Sequence, residues 1–133
     1  MPGNTALVVD SNEKAVYDQA MSQLLDKQDY KSAQQGFVSY LNQYPNGRYV
    51  PNIYYWQGQI LLTQGNENRA AEKFKRLIAE YPSNAKAADG KFKLARIYFS
   101  QGKRKESKVL LDQVASSNTE AAPLAKSFLA KHF

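Results

Sequence analysis

A repeat of 37 residues limits what this chain can fold into more than any other feature. Ala33, Ala70 and Ser107 stand one period apart. The same step links Phe37, Phe74 and Leu111; it links Pro45, Pro82 and Thr119; and it links Tyr17, Tyr54 and Lys91. Four classes of position recurring in one register over three copies predict three versions of one supersecondary unit, stacked so that neighbours share a core. Turn residues also fall at equivalent places: Lys27-Gln28-Asp29, Gln64-Gly65-Asn66 and Gln101-Gly102-Lys103.

The spacing within a copy resembles the tetratricopeptide (TPR) pattern, W-x2-L-G-x2-Y, then A-x3-F, then P. The second copy reads Tyr54-x2-Gln57-Gly58-x2-Leu61, Ala70-x3-Phe74, Pro82. The first reads Tyr17-x2-Ala20-Met21-x2-Leu24, Ala33-x3-Phe37, Pro45. The third is degenerate, with Lys91, Leu94-Ala95, Tyr98, Ser107-x3-Leu111 and Thr119. Small residues at Gly58, Ala95, Ala33, Ala70 and Ser107 allow paired helices to approach closely, and Phe37, Phe74 and Leu111 fill the space beside them. Pro45 and Pro82 end a helix, because proline cannot continue the hydrogen-bond ladder. The resemblance implies an all-α fold: three TPR repeats in a short right-handed α-solenoid with a C-terminal capping helix. The period exceeds the usual 34 residues by three, and the surplus falls in Asn46-Gly47-Arg48 and Ser83-Asn84-Ala85, which predicts a longer loop or an added helical turn.

Helices are expected over about 13–27, 30–43, 50–64, 67–80, 86–101 and 104–116, with a capping helix over about 120–131. In that last helix Leu124, Phe128 and Leu129 are read as the apolar stripe, with Lys126 and Lys131 facing water. Repeats then span about 14–47, 51–84 and 88–119 within a domain of residues 13–132. Residues 1–12 are read as a flexible lead-in. Their Met-Pro-Gly start lacks the basic and apolar regions of a signal peptide, and a longer natural chain is expected. The array is expected to end at the capping helix.

With 133 residues, 43% hydrophobic and 23% charged, the chain suits one folded domain and not a disordered segment. The absence of cysteine excludes disulfides and thiolate sites but leaves the compartment open. The longest uncharged stretch, Val50 to Thr63, is interrupted by Pro51, Asn52, Gln57, Gly58 and Gln59, and falls short of the ~20 apolar residues a membrane span needs. No membrane insertion is expected. Charge is uneven: residues 69–108 hold 12 Lys/Arg against 4 Asp/Glu, a net of +8, while the remainder is −2. That bias fits an acidic partner, a nucleic acid or an anionic surface.

The signals of catalysis are missing. The only histidine, His132, lies beside the C-terminus, the carboxylates are scattered over helix faces, and there is no Gly-rich phosphate loop, H-E-x-x-H or G-x-S-x-G. No enzymatic activity, cofactor, metal or small-molecule substrate is expected. Lys73, Lys75 and Arg76 on one helix, and Lys103, Arg104, Lys105 and Lys108 on another, form basic clusters suited to phosphates. The interleaved Glu72, Glu80 and Glu106, and the lack of an RNA-reading motif, favour an ordinary solvated basic face over nucleic acid.

In TPR proteins the first helix of each pair lines a groove, with groove-facing positions in a 3-4-3 spacing. Here these are Ala15, Asp18, Ser22 and Leu25; Asn52, Tyr55, Gln59 and Leu62; and Asp89, Phe92, Arg96 and Phe99. Side-chain amides hold a peptide backbone, and aromatics supply contact area at low entropic cost. The candidate partner-binding residues are therefore Asn52, Tyr55, Gln59, Leu62, Phe92, Arg96 and Phe99. For Phe92 and Phe99 the alternative is burial against the capping helix. Trp56 is read as packing between repeats, and Tyr54, Phe74 and Phe37 as core.

The segment from Tyr44-Pro45 through Tyr49, Asn52 and Tyr54-Tyr55-Trp56-Gln57-Gly58-Gln59 resembles the YbgF/CpoB family. Ala70, Phe74, Tyr81-Pro82, Lys86-Ala87-Ala88-Asp89 and Lys93-Leu94 continue the match over roughly 13–131. Departures are Ile53 for the family's alanine, Gln57 for its leucine and Thr119 for its proline. The resemblance implies a periplasmic protein of the Tol–Pal system that binds TolA and coordinates septal peptidoglycan synthesis with outer-membrane constriction during division. Family members carry a signal peptide and trimerise through an N-terminal coiled coil, neither of which is in this sequence, so this chain is expected to be a monomer. Other readings are a generic TPR adaptor, such as a lipoprotein component of outer-membrane assembly, and an RNA-associated helical repeat.

Overall fold

The turns between paired helices show why the repeat has its register. In the computed structural model, which describes residues 11–133, seven helices follow one another with no strand among the described residues. They are α1 (Ser11–Leu25), α2 (Tyr30–Gln43), α3 (Val50–Thr63), α4 (Glu67–Glu80), α5 (Ala85–Ser100), α6 (Arg104–Ala115) and α7 (Ala122–His132). The all-helical expectation holds. Of the expected lead-in, residues 1–10 lie outside the described residues, while Ser11 and Asn12 already belong to α1.

Each helix pair turns through a left-handed residue at the same repeat position: Gln28 at φ 52°, Gly65 at 77° and Gly102 at 78°. Glycine takes that conformation freely, whereas Gln28 brings its Cβ close to its own carbonyl. The next residue caps the following helix. Asp29 accepts from the Ser32 backbone N–H and Asn66 from that of Arg69, but Lys103, their counterpart, offers no acceptor.

Helices α2 and α4 stop before Pro45 and Pro82. Tyr44 and Tyr81, one residue ahead of each proline, both sit at φ −132°, because proline's ring excludes the helical region for its predecessor. The surplus residues are then used in two ways. After α2 they lengthen the connection, residues 44–49; after α4 the connection shortens to 81–84 and α5 gains residues at its start, reaching 16 against 14 in α3. Asn84 makes this possible by accepting from the Lys86 backbone N–H at 2.9 Å.

The chain divides into two compact units, Met1–Val50 and Pro51–Phe133. In the first, α1 and α2 pack around Tyr17, Ala20, Leu24, Ala33, Phe37 and Tyr40, all buried. The buried Tyr40 hydroxyl donates to Glu13 Oε2 at 2.8 Å and accepts from the Tyr49 backbone N–H at 3.0 Å. Glu13 Oε2 also accepts from the Arg48 N–H at 3.2 Å, and the Tyr49 ring stacks on Tyr17 at 4.2 Å. This network ties the 44–49 connection to both helices. Burial pushes the Tyr40 hydroxyl well above the usual tyrosine range, so it stays a donor. The network leaves no space at Gly47, where a Cβ would stand 2.3 Å from the Tyr40 hydroxyl oxygen.

In the second unit α3 crosses α4 so closely that a Cβ on Gly58 would lie 2.5 Å from the Phe74 ring. Ser107, at the position held by alanine in the other repeats, is fully buried and donates its hydroxyl to the Ala95 carbonyl at 2.8 Å. The polar atom costs little because it is satisfied. Helix α7 covers the end of α5 and α6: Ala121 and Ala125 join Phe92, Ala95, Leu111 and Val114 in one core, with Phe128 and Leu129 at its edge. The expected stripe is corrected at Leu124, which is 54% exposed. Alanines, not leucine, face the core, because a small residue lets the helix come closer.

Two local conflicts yield stability predictions. Replacing Gln28 by Gly relieves the left-handed strain, and should raise the urea midpoint by an amount worth about 0.5–1 kcal/mol. Gln57 is 3% exposed and its Oε1 has no hydrogen-bond partner. Gln57→Leu should therefore stabilise the second unit by about 1–2 kcal/mol, visible as a higher melting temperature with unchanged helicity.

Candidate partner-binding surface

The seven candidate residues all lie in the second unit, on α3 and α5. They share a face by register but differ in access. Asn52, Gln59 and Leu62 are half-buried along α3, and Arg96 is exposed on α5. These four keep some or all of their side chain at the surface.

Tyr55 and Phe92 do not match that role. Tyr55 is 9% exposed, with its ring edge-on to Phe74 at 5.9 Å and to Trp56 at 5.3 Å. Desolvation raises its hydroxyl pKa, and the Asp89 carboxylate adds to the shift. The Lys86 ammonium sits 4.7 Å from its ring centroid and 5.4 Å from that of Trp56, closing the site further. Phe92 is 8% exposed and meets the Phe128 ring edge-on at 6.2 Å. Phe99, half-buried, packs on Phe128 at 5.2 Å and under the Arg104 guanidinium at 5.4 Å. Burial against α7 thus claims Phe92 and much of Phe99. These aromatics shape and stiffen the surface from beneath.

Arg96 shows the effect of that support. Its guanidinium lies 5.9 Å from the Phe92 ring centroid and 6.0 Å from that of Phe128. Cation–π attraction to two rings restrains a side chain that would otherwise sample many rotamers. Beside it runs a cleft of about 340 Å³ lined by Leu62, Glu67, Lys93, Arg96, Ile97 and Ser100. Leu62 and Ile97 form its apolar floor. At its far wall the Ser100 hydroxyl donates to Glu67 at 3.1 Å. Burial holds the Lys93 ammonium below the usual lysine range, the Arg96 charge adds to this, and Asp89 offsets only part of it. A wider depression, lined by Gln64, Gly65, Asn66 and Asn68 together with Leu62, Glu67 and Gln101, lies over the α3–α4 turn and has Leu62 as its one apolar side chain.

Lys93, Ile97, Glu67 and Ser100 are the lining residues of the cleft that the groove register did not include. Lys93 stands one position off the 3-4-3 series, and Glu67 belongs to the second helix of its pair. The available signal was the Lys93/Arg96 spacing of three, which puts two cations on one helical face. Among the described residues no group of three or more His, Cys, Asp or Glu stands together to hold a metal ion, and no helix is long and apolar enough to cross a membrane.

Family comparison agrees with this architecture. A tetratricopeptide repeat model matches residues 61–131, and a second matches residues 14–47. The chain belongs to the tetratricopeptide repeat family. Two curated relatives, from Pseudomonas putida strain KT2440 and from Pseudomonas putida, are both named Cell division coordinator CpoB. Each is 37% identical over 65 residues, 49% of this chain and 22% of the relative. The chain thus aligns with about a fifth of the length of the curated relatives it matches. The resemblance to the YbgF/CpoB family drawn from the Tyr-Trp-x-Gly segment is borne out by these relatives.

The burial of Tyr55 makes it a poor probe of binding. Tyr55→Ala should lower unfolding free energy by about 3–5 kcal/mol, measured from the urea midpoint, through the cavity it leaves beside Phe74 and Trp56.

Proposed function

We propose that this chain is a non-enzymatic, protein-binding TPR scaffold of the Tol–Pal type. In this reading it acts in the periplasm, binds TolA, and helps coordinate septal peptidoglycan synthesis with outer-membrane constriction during cell division. The observation that carries it is the 37% identity to Cell division coordinator CpoB, joined to the TPR architecture of paired helices. Asn52, Gln59, Leu62 and Arg96 supply the contacts, while Tyr55, Phe92 and Phe99 hold those residues in place.

Amides and a short apolar side chain in one row suit an extended or helical segment of a partner, because they satisfy backbone groups without a deep pocket. The test is calorimetric titration with TolA. Gln59→Ala should weaken binding at least fivefold, with circular dichroism and melting unchanged. Unaltered affinity would show that TolA is bound elsewhere, and no heat from the unsubstituted chain would reject the Tol–Pal reading itself.

A further inference from the structure

The cleft beside Arg96 has a charge arrangement that general partner binding does not require. Arg96 and Lys93 both line it, and among the described residues neither has a carboxylate within ion-pair distance; the ion pairs there are Lys14–Asp18, Arg76–Glu80 and Lys108–Asp112. The one carboxylate lining the cleft, Glu67, already accepts a hydrogen bond from Ser100. Asp89, one turn before Lys93 on α5, is the other nearby acid, and its influence on Lys93 is smaller than that of Arg96. The two cations therefore repel each other, Lys93 is partly desolvated, and Asp89 offsets only part of this. Such an arrangement is stabilised when an anion arrives.

The anion's shape follows from the same residues. A guanidinium held over two rings keeps its N–H edges available, and that fork matches a carboxylate through two parallel bonds. The floor of Leu62 and Ile97 asks for an apolar group next to the charge. The cleft also adjoins Gln59 through Leu62, one turn apart on α3, so a chain lying in it continues along the row of amides. Residues 69–108, with their net +8, add long-range attraction for an acidic segment.

We infer that the Leu62–Lys93–Arg96–Ile97 cleft binds the side-chain carboxylate of an acidic residue flanked by an apolar one, within a segment of a protein partner. This deepens the protein-binding reading of the same surface and rests on it. A partner segment docks with its Asp or Glu on Arg96, Lys93 supplies the second positive charge, and the neighbouring apolar side chain covers Leu62 and Ile97. Glu67 and Ser100 border the site and reject a second acid at the far wall.

The test uses two amidated twelve-residue peptides, one with a central Glu-Leu and one with Gln-Leu in its place, titrated into the isotopically labelled chain and followed by NMR. The Glu peptide should shift the amides of residues 62 and 93–97 and bind at least tenfold more tightly than the Gln peptide at low salt. Lys93→Gln with Arg96→Gln should remove that preference. Lys105→Gln with Lys126→Gln, which removes the same charge at exposed positions, should keep it. Equal binding of the two peptides, a preference that survives in the Lys93/Arg96 variant, or an equal loss in the charge-matched variant overturns the inference. So does a twelve-nucleotide RNA that binds the same amides more tightly than the Glu peptide. TolA binding intact with no carboxylate preference rejects the cleft assignment alone, whereas a carboxylate preference without TolA binding rejects only the Tol–Pal reading.

Discussion

Close approach of paired helices is the constraint on which the rest of this structure depends. At Gly58 the α3 backbone comes so near the Phe74 ring that no β-carbon fits, and a Cβ on Gly36 would stand 2.8 Å from that of Ala20. Short separations of this kind let Phe37, Phe74 and Leu111 fill the space beside each pair with no exposed area at all. Dispersion contacts fall off steeply with distance, so a wider spacing would forfeit much of their attraction. The small residues are thus chosen by the neighbour they admit. Ser107 tolerates the same site because its hydroxyl reaches the Ala95 carbonyl.

That constraint explains what was legible in the sequence. Small and bulky residues must recur at fixed offsets wherever two helices nest, so the 37-residue register located every helix start and end to within about two residues. Pro45 and Pro82 marked the stops because their chemistry acts locally. The fate of the surplus residues was less legible. Two segments at equivalent repeat positions folded differently, since one is held by Tyr40 and Glu13 and the other is shortened by the Asn84 cap. Both outcomes depend on partners far along the chain or on one side-chain acceptor.

The candidate surface was legible in its face but not in its depth. Helical spacing puts Asn52, Tyr55, Gln59 and Leu62 in a row, yet it says nothing of what packs over them. Phe128 on α7 has no counterpart in the repeat, and it is what covers Phe92 and restrains Arg96. Lys86 similarly closes over Tyr55 and Trp56. The aromatic positions therefore became supports, and the exposed contacts passed to amides and cations. The Lys93–Glu67 cleft is a property of helices α3 to α5 together, so no single helical pattern contains it.

The aromatic residues also divide between the two units in a useful way. The first unit holds the tyrosine group of Tyr17, Tyr40, Tyr44 and Tyr49 and no tryptophan, whereas the one tryptophan of the chain, Trp56, sits in the second beside the Lys86 ammonium. Tyrosine is common to both units, but tryptophan marks only the second. Indole emission therefore reports on the second unit, where Trp56 stands beside Tyr55 and Lys86. The sequence thus labels the second unit alone with an indole, so its unfolding can be followed by one intrinsic fluorophore.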